Sequence, residues 1–131
     1  MASLDTTVLI RYLVRDDEAQ LELASQLIKQ QVRAQQALHI PISVALELEW
    51  VLRAHYGFDK KTVTDTYSNL LQSVEVEFES ESAVEIALLY YKTYTADFAG
   101  CLHTALAGEA HHAPLFTFDK KATRIPGTRG L

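Results

Sequence analysis

The chain has little cysteine, proline or glycine: one, three and five of these residues occur among its 131. A single cysteine can form neither an internal disulfide nor a Cys-x-x-Cys motif, so Cys101 is expected to be a small buried residue without a chemical role. The low proline and glycine content, together with 48% hydrophobic residues, argues against a disordered chain. The length predicts one domain over residues 1–131 with a single core.

Long apolar runs, a leader sequence and an excess of basic residues are also lacking. No apolar run reaches bilayer length, and the N-terminus has no basic region followed by an apolar block. These absences predict a cytoplasmic protein without membrane contact. The formal net charge of -5 argues against nucleic-acid binding by a basic surface alone. An acidic protein can still act on nucleic acid if its carboxylates bind divalent cations and its basic side chains surround that site.

The N-terminal segment predicts the position of a functional edge. Residues 2–5 have the pattern of a short buried strand that ends at Asp5, and residues 8–13 then follow helical spacing. An acid at the carboxyl end of a parallel strand faces the crevice where ligands bind. The alternative is that Asp5 or Thr6 caps the helix that follows.

The rest of the chain alternates helices with short strands. We predict further helices over about 21–32, 43–56, 59–72, 82–91 and 98–110, and strands over 37–40, 74–78 and 114–119. Ser43 is expected to cap one helix, and Ser82 with Glu85 to form a capping box on another. This alternation predicts an α/β sandwich with a central parallel sheet flanked by helices.

Four acids occupy positions that such a sheet would bring to one edge. Asp5 and Asp119 end predicted strands, and Asp97 begins a helix. Glu47 lies in an apolar sequence where a buried carboxylate needs a partner or a cation, whereas Glu49 is expected to point to water. Carboxylate oxygens suit Mg²⁺ or Mn²⁺, so these four acids are the candidate metal ligands and catalytic residues: Asp5, Glu47, Asp97 and Asp119.

Four motifs, taken in order and spacing, resemble the PIN-domain ribonucleases, and specifically the VapC-type toxins of bacterial toxin–antitoxin pairs. They are LDTTVLIRYL (4–13), ELEWVLR (47–53), DFAGCLH (97–103) and TFDKKA (117–122). The resemblance covers essentially the whole chain, and Asp5, Glu47 and Asp119 fall on the family's acidic positions. It implies a PIN-like fold and an endoribonuclease in which Mg²⁺ or Mn²⁺ activates a water. It also implies a VapB-like antitoxin as partner and a homodimer, for which Trp50, expected in the core or an interface, offers surface.

The chain departs from the family's pattern at two positions. Thr7 stands where the family usually has asparagine, and Gly100 stands where it usually has an acid. Asp97 lies one helical turn before Gly100, on the same face, and is expected either to substitute for that acid or to leave a weakened site. The second hypothesis is therefore a PIN-like binding module that has lost catalysis and binds RNA or an antitoxin.

The candidate substrate contacts are hydroxyl and basic side chains near the acids. Thr6, Thr7 and Thr117 are expected to orient a water or a phosphate, and Arg11 and Lys120 to contact phosphates from the rim. The ordinary role of such basic residues is a solvated surface. An aspartyl-phosphate phosphatase is a weaker reading, because the sequence has no second acid two residues after Asp5.

Overall fold

The helices form where the apolar spacing predicts them. In the computed structural model, which describes residues 1–131, they are α1 (Thr6–Val14), α2 (Glu18–Arg33), α3 (Ile42–Trp50), α4 (Lys60–Gln72), α5 (Glu81–Thr93) and α6 (Phe98–Glu109). Asp17 and Asp59 cap α2 and α4, because their carboxylates accept from the N–H groups of Gln20 at 3.0 Å and Thr62 at 2.8 Å. No helix is both long enough and apolar enough to cross a bilayer.

The strands are short and parallel. Strand β1 (Leu38–Ile40) pairs with β2 (Val76–Phe78), and β3 (Leu115–Thr117) pairs with β4 (Thr128–Gly130). The N-terminal segment adds one parallel bridge to β1, in which Leu4 N–H donates to His39 C=O at 2.9 Å. The predicted α/β class, with parallel strands among helices, is therefore confirmed. Strand β4 was not predicted, because its short polar sequence lacks the apolar alternation of a half-buried strand.

Two predicted helix caps are wrong. Helix α3 begins after Pro41 rather than at Ser43. The Ile42 N–H donates at 3.0 Å to Oε1 of Glu79, a residue far away in the sequence. Helix α5 begins after Ser80, whose φ of 53° is left-handed, so Ser82 lies inside the helix and forms no capping box. In both cases the helix begins earlier than predicted, directly after an N-cap residue that makes no side-chain capping bond, Pro41 for α3 and Ser80 for α5.

The predicted 43–56 helix is continuous but changes type. Helix α3 runs into a π-helical segment, Val51–His55, in which Tyr56 N–H donates to Val51 C=O at 3.2 Å. Gly57 follows with a φ of +70°, which favours glycine and ends the segment as predicted. π-Helical turns are rare and are frequently found at functional sites.

The core lies between the helices and the β1–β2 pair. Tyr67, Phe78 and Phe98 pack together, and the Tyr67 hydroxyl donates to the Ala45 carbonyl. Cys101 is fully buried, as predicted, and this burial raises the pKa of its thiol to about 11. Helix α3 packs on both α1 and α6.

Candidate active site

A cleft of about 400 Å³ lies beside α3 and the start of α6. It is lined by acids from both elements, Glu47 from α3 and Asp97 from the N-terminal end of α6. Both acids are exposed, and Asp97 makes no side-chain hydrogen bond to the N–H groups of its own helix. The structure therefore brings two of the four predicted acids to one cleft.

A second cavity, of about 330 Å³, lies on the α1 side of Glu47 and includes Thr6 and Thr7. Asp5 precedes this pair and is the N-cap of α1, with its carboxylate accepting from Thr6 N–H at 2.8 Å. The N-cap alternative for Asp5 is therefore confirmed. The predicted buried strand is reduced to a single parallel bridge between Ser3 and His39, with Ala2 and Ser3 exposed. The Thr6 hydroxyl oxygen is buried and has no hydrogen-bond partner within the protein, which is unusual for a buried polar atom.

Asp119 lies in a turn that adjoins the start of α6. Its Oδ1 accepts from Lys121 N–H at 2.9 Å and Ala122 N–H at 3.3 Å. The same turn places Ala122 beside Gly100, since a Cβ added to Gly100 would lie 3.7 Å from the Ala122 Cβ. Thr117 shapes the turn by accepting from Asp119 N–H at 3.0 Å, which engages its hydroxyl in local structure.

The structure contains no group of three or more acids, histidines or cysteines close enough to hold one metal ion. A preformed cage of four carboxylates is therefore not present. Mg²⁺ often binds through one or two carboxylates, several waters and the substrate's own phosphates. The pair of Glu47 and Asp97 fits this weaker, water-rich mode, and Gly100 leaves out a carboxylate one turn from Asp97. Asp5 precedes Thr6, which lines the second cavity together with Glu47. Asp119 bonds to Ala122, which lies beside Gly100.

The expectation that Glu49 points to water is wrong. Glu49 is 4% exposed, and its Oε2 accepts from Arg53 Nε at 2.8 Å and from the Tyr91 hydroxyl at 2.9 Å. Glu47 is the exposed acid. Residues 45, 48, 49 and 52 are all buried and form the inward stripe of the helix, so their three- and four-residue spacing was a signal for the burial of Glu49.

The hydrogen bonds from Arg53 and Tyr91 offset the cost of burying the Glu49 carboxylate. Burial first, and then the hydrogen bond to Glu49, raises the pKa of Tyr91, so its hydroxyl remains a donor at neutral pH. The hydrogen bond to Glu49 raises the pKa of Arg53. Arg53 and Tyr91 were not among the residues predicted for the site, and no local sequence pattern connects Tyr91 to Glu49.

The two basic residues predicted to contact phosphates, Arg11 and Lys120, differ in how many hydrogen bonds they make within the protein. The Arg11 guanidinium donates to Gln20, to Asp16 at 3.2 Å and to the Tyr56 hydroxyl at 3.0 Å. The Tyr56 bond first, and then Asp16, raise its pKa. Lys120 is exposed beside Asp119 and makes no side-chain hydrogen bond or ion pair.

Trp50 is not a core residue. Its side chain is 58% exposed, and it lines both the cleft with Asp97 and the cavity with Thr6. Glu47 lines the same two spaces, three residues earlier on α3. The acid and the indole therefore share the outer face of this helix, between α1 and α6.

A comparison with protein families finds that the PIN domain model matches residues 2–127. No curated protein and no solved structure matches the chain. PIN domains are typically metal-dependent nucleases that use Mg²⁺ or Mn²⁺. The match spans nearly the whole chain, and its helices and short parallel strands agree with a PIN-like fold. The chain therefore belongs to the PIN-domain family.

Proposed function

We propose that this chain is a metal-dependent endoribonuclease and the toxin of a toxin–antitoxin pair. The observation that carries the nuclease part is the shared cleft of Glu47 and Asp97, two acids from different helices of a PIN domain. The toxin part rests on the four sequence motifs and remains to be tested by growth experiments. A metal held there would supply Lewis-acid stabilisation of phosphate charge and a water of lowered pKa.

The chain's own residues supply binding and orientation. Glu47 and Asp97 are the ligands that the cleft offers to Mg²⁺ or Mn²⁺. The first turn of α6 presents N–H groups that Asp97 does not cap, and such groups favour an anion such as a phosphate. Thr7, whose side chain is exposed and lines the neighbouring cavity, offers its hydroxyl to a water or a phosphate oxygen. Asp5 and Asp119, which do not line this cleft, are proposed to act from its flanks.

The nuclease proposal is tested by RNA cleavage with Glu47→Gln and Asp97→Asn. We expect the parent to cleave a synthetic RNA containing loops in Mg²⁺ or Mn²⁺ and to stop in EDTA. Each variant should lose at least about tenfold in rate, which is about 1.4 kcal/mol of transition-state stabilisation. Asp65→Asn is the matched control, because Asp65 is an exposed acid on α4 that pairs only with Lys61. Cleavage that persists in EDTA, or that both site variants retain, would contradict the proposal.

The toxin assignment is tested separately in growing cells. Induction of the parent chain should arrest growth, and induction of Asp97→Asn should not. Coexpression of a small protein encoded directly beside this chain's gene should relieve the arrest and copurify with it. A chain that binds RNA or that small protein, but cleaves nothing with either metal, would instead be the PIN-like binding module.

A further inference from the structure

Three residues near the cleft have no role in the proposed metal chemistry: Glu49, Arg53 and Tyr91. Glu49 is buried at the base of the cleft and receives both of its hydrogen bonds at the same oxygen, Oε2. Tyr91 is buried and donates one of these bonds from α5. A buried carboxylate with two donors holds those donors in a fixed geometry. Arg53 is therefore oriented by a network that extends into the core.

Arg53 has unused hydrogen-bonding capacity on the side of the cleft. Its side chain is 49% exposed, and only Nε bonds within the protein. The two terminal nitrogens have no protein partner. By contrast, Arg11 uses both Nε and Nη1 in contacts with its neighbours. A guanidinium anchored through Nε presents its terminal N–H groups as a planar fork, which matches the oxygens of a phosphate.

The cleft carries a net negative charge, which Arg53 partly compensates. The residues that line the cleft include three acids, Glu47, Glu49 and Asp97, and Arg53 is its one basic side chain. A phosphodiester entering a cleft of net negative charge requires a compensating cation. Because Arg53 and Glu47 line the same cleft, the guanidinium can contact the backbone of a strand whose scissile phosphate lies at the acids.

We propose that Arg53 is a substrate-binding residue whose guanidinium holds an RNA phosphate beside Glu47 and Asp97, and that Glu49 and Tyr91 position it. The proposal rests on the RNA site of the proposed function and names a residue that binds the substrate there. The π-helical segment contains Arg53 and follows directly after α3, so the residue lies where the regular helix gives way to the wider turn.

The test measures binding of a fluorescent synthetic RNA as a function of salt concentration, in EDTA, which removes the divalent metal that cleavage requires. Arg53→Gln should weaken binding about tenfold and reduce the slope of log K against log salt by about 0.7, the value for one phosphate contact in a single strand. Arg53→Lys keeps the charge but loses the fork, so it should keep most of the slope and still bind less tightly. Arg33→Gln is the control, because Arg33 is exposed at the end of α2, away from the cleft.

A positioning role for Tyr91 has its own readout. Tyr91→Phe removes the bond to Glu49 and keeps the ring in the core, so it should raise the KM for RNA cleavage severalfold and leave kcat unchanged. If Arg53→Gln does not fold, as thermal unfolding will show, Arg53→Lys is compared with Arg33→Lys, and only Arg53→Lys should bind the RNA less tightly than the parent. The proposal is overturned if the Arg53 and Arg33 variants bind alike, or if the parent does not bind the RNA in EDTA.

Parallel cleavage assays separate this proposal from the proposed function. A parent that binds RNA through Arg53 but cleaves nothing would retain the binding inference and refute the nuclease. A parent that cleaves in Mg²⁺, with binding unaffected by Arg53→Gln, would refute only the role of Arg53.

Discussion

Restoring an acid at position 100 should strengthen metal binding with little effect on the fold. Gly100 lies in the first turn of α6, and a Cβ there would meet only the Ala122 Cβ, at the ordinary contact distance of 3.7 Å. Aspartate exceeds glycine in helix propensity by about 0.3 kcal/mol, and an acid in the first turn gains about 0.3–1 kcal/mol from the helix dipole. Repulsion from Asp97, three residues earlier, opposes this by about 0.2–0.5 kcal/mol. The metal-free variant should thus unfold within about 1 kcal/mol of the parent.

Mg²⁺ should stabilise Gly100→Asp against unfolding more than it stabilises the parent. If the parent binds Mg²⁺ with a Kd of about 10 mM, then 10 mM Mg²⁺ stabilises it by about 0.4 kcal/mol. A tenfold tighter site in Gly100→Asp would raise this to about 1.4 kcal/mol, which is a further rise in Tm of roughly 3–5 °C for a chain of this size. The assay is thermal unfolding across a Mg²⁺ titration, followed by RNA cleavage over the same concentrations.

Two control variants isolate the carboxylate at position 100. Gly100→Asn has a similar shape at the same position without the charge. Gly108→Asp adds the same charge to α6 at its other end, where no atom lies within 4 Å of an added Cβ. Only Gly100→Asp should gain Mg²⁺-dependent stability and faster cleavage at low Mg²⁺. An equal response of Gly100→Asn would refute the reasoning, and equally strong cleavage by the parent would show that Asp97 already serves as the ligand.

Two further predictions concern pH dependence and assembly. Because the native Cys101 thiol keeps its proton up to a pKa of about 11 while the unfolded chain releases it near 9, stability should fall by roughly 2 kcal/mol as pH rises from 9 to 11. Urea unfolding of Cys101→Ala should lack this part of the pH dependence, and equal slopes would show that the thiol does not titrate in this way. The chain should form a dimer at micromolar concentration in sedimentation, and Trp50→Arg should shift it towards monomer if the exposed indole is at the interface. A parent that sediments only as a monomer would exclude this interface.

The sequence by itself determined the fold class and the positions of the helices, but not strand β4. Helical periodicity placed α1, α2, α4 and α6 within a few residues of their observed bounds, because each buries one apolar stripe that repeats along the chain. Asp97 was correctly placed at the start of α6, since the break between two apolar patterns falls there. Cys101 was correctly predicted to be buried, because the chain offers it no partner.

Only the tertiary structure decided which acids face the cleft and what surrounds them. The apolar spacing of α3 signals that Glu49 is buried and Glu47 is exposed, but the packing of α6 places Asp97 in the same cleft as Glu47. Arg53 lies four residues after Glu49, a spacing at which oppositely charged side chains on a helix pair. Tyr91 contacts Glu49 across 42 residues of sequence, so no local pattern could predict this second donor. The separation of Asp5 and Asp119 from the Glu47–Asp97 cleft likewise depends on how α1 and the 119–122 turn pack, because long-range packing rather than spacing sets distances between side chains.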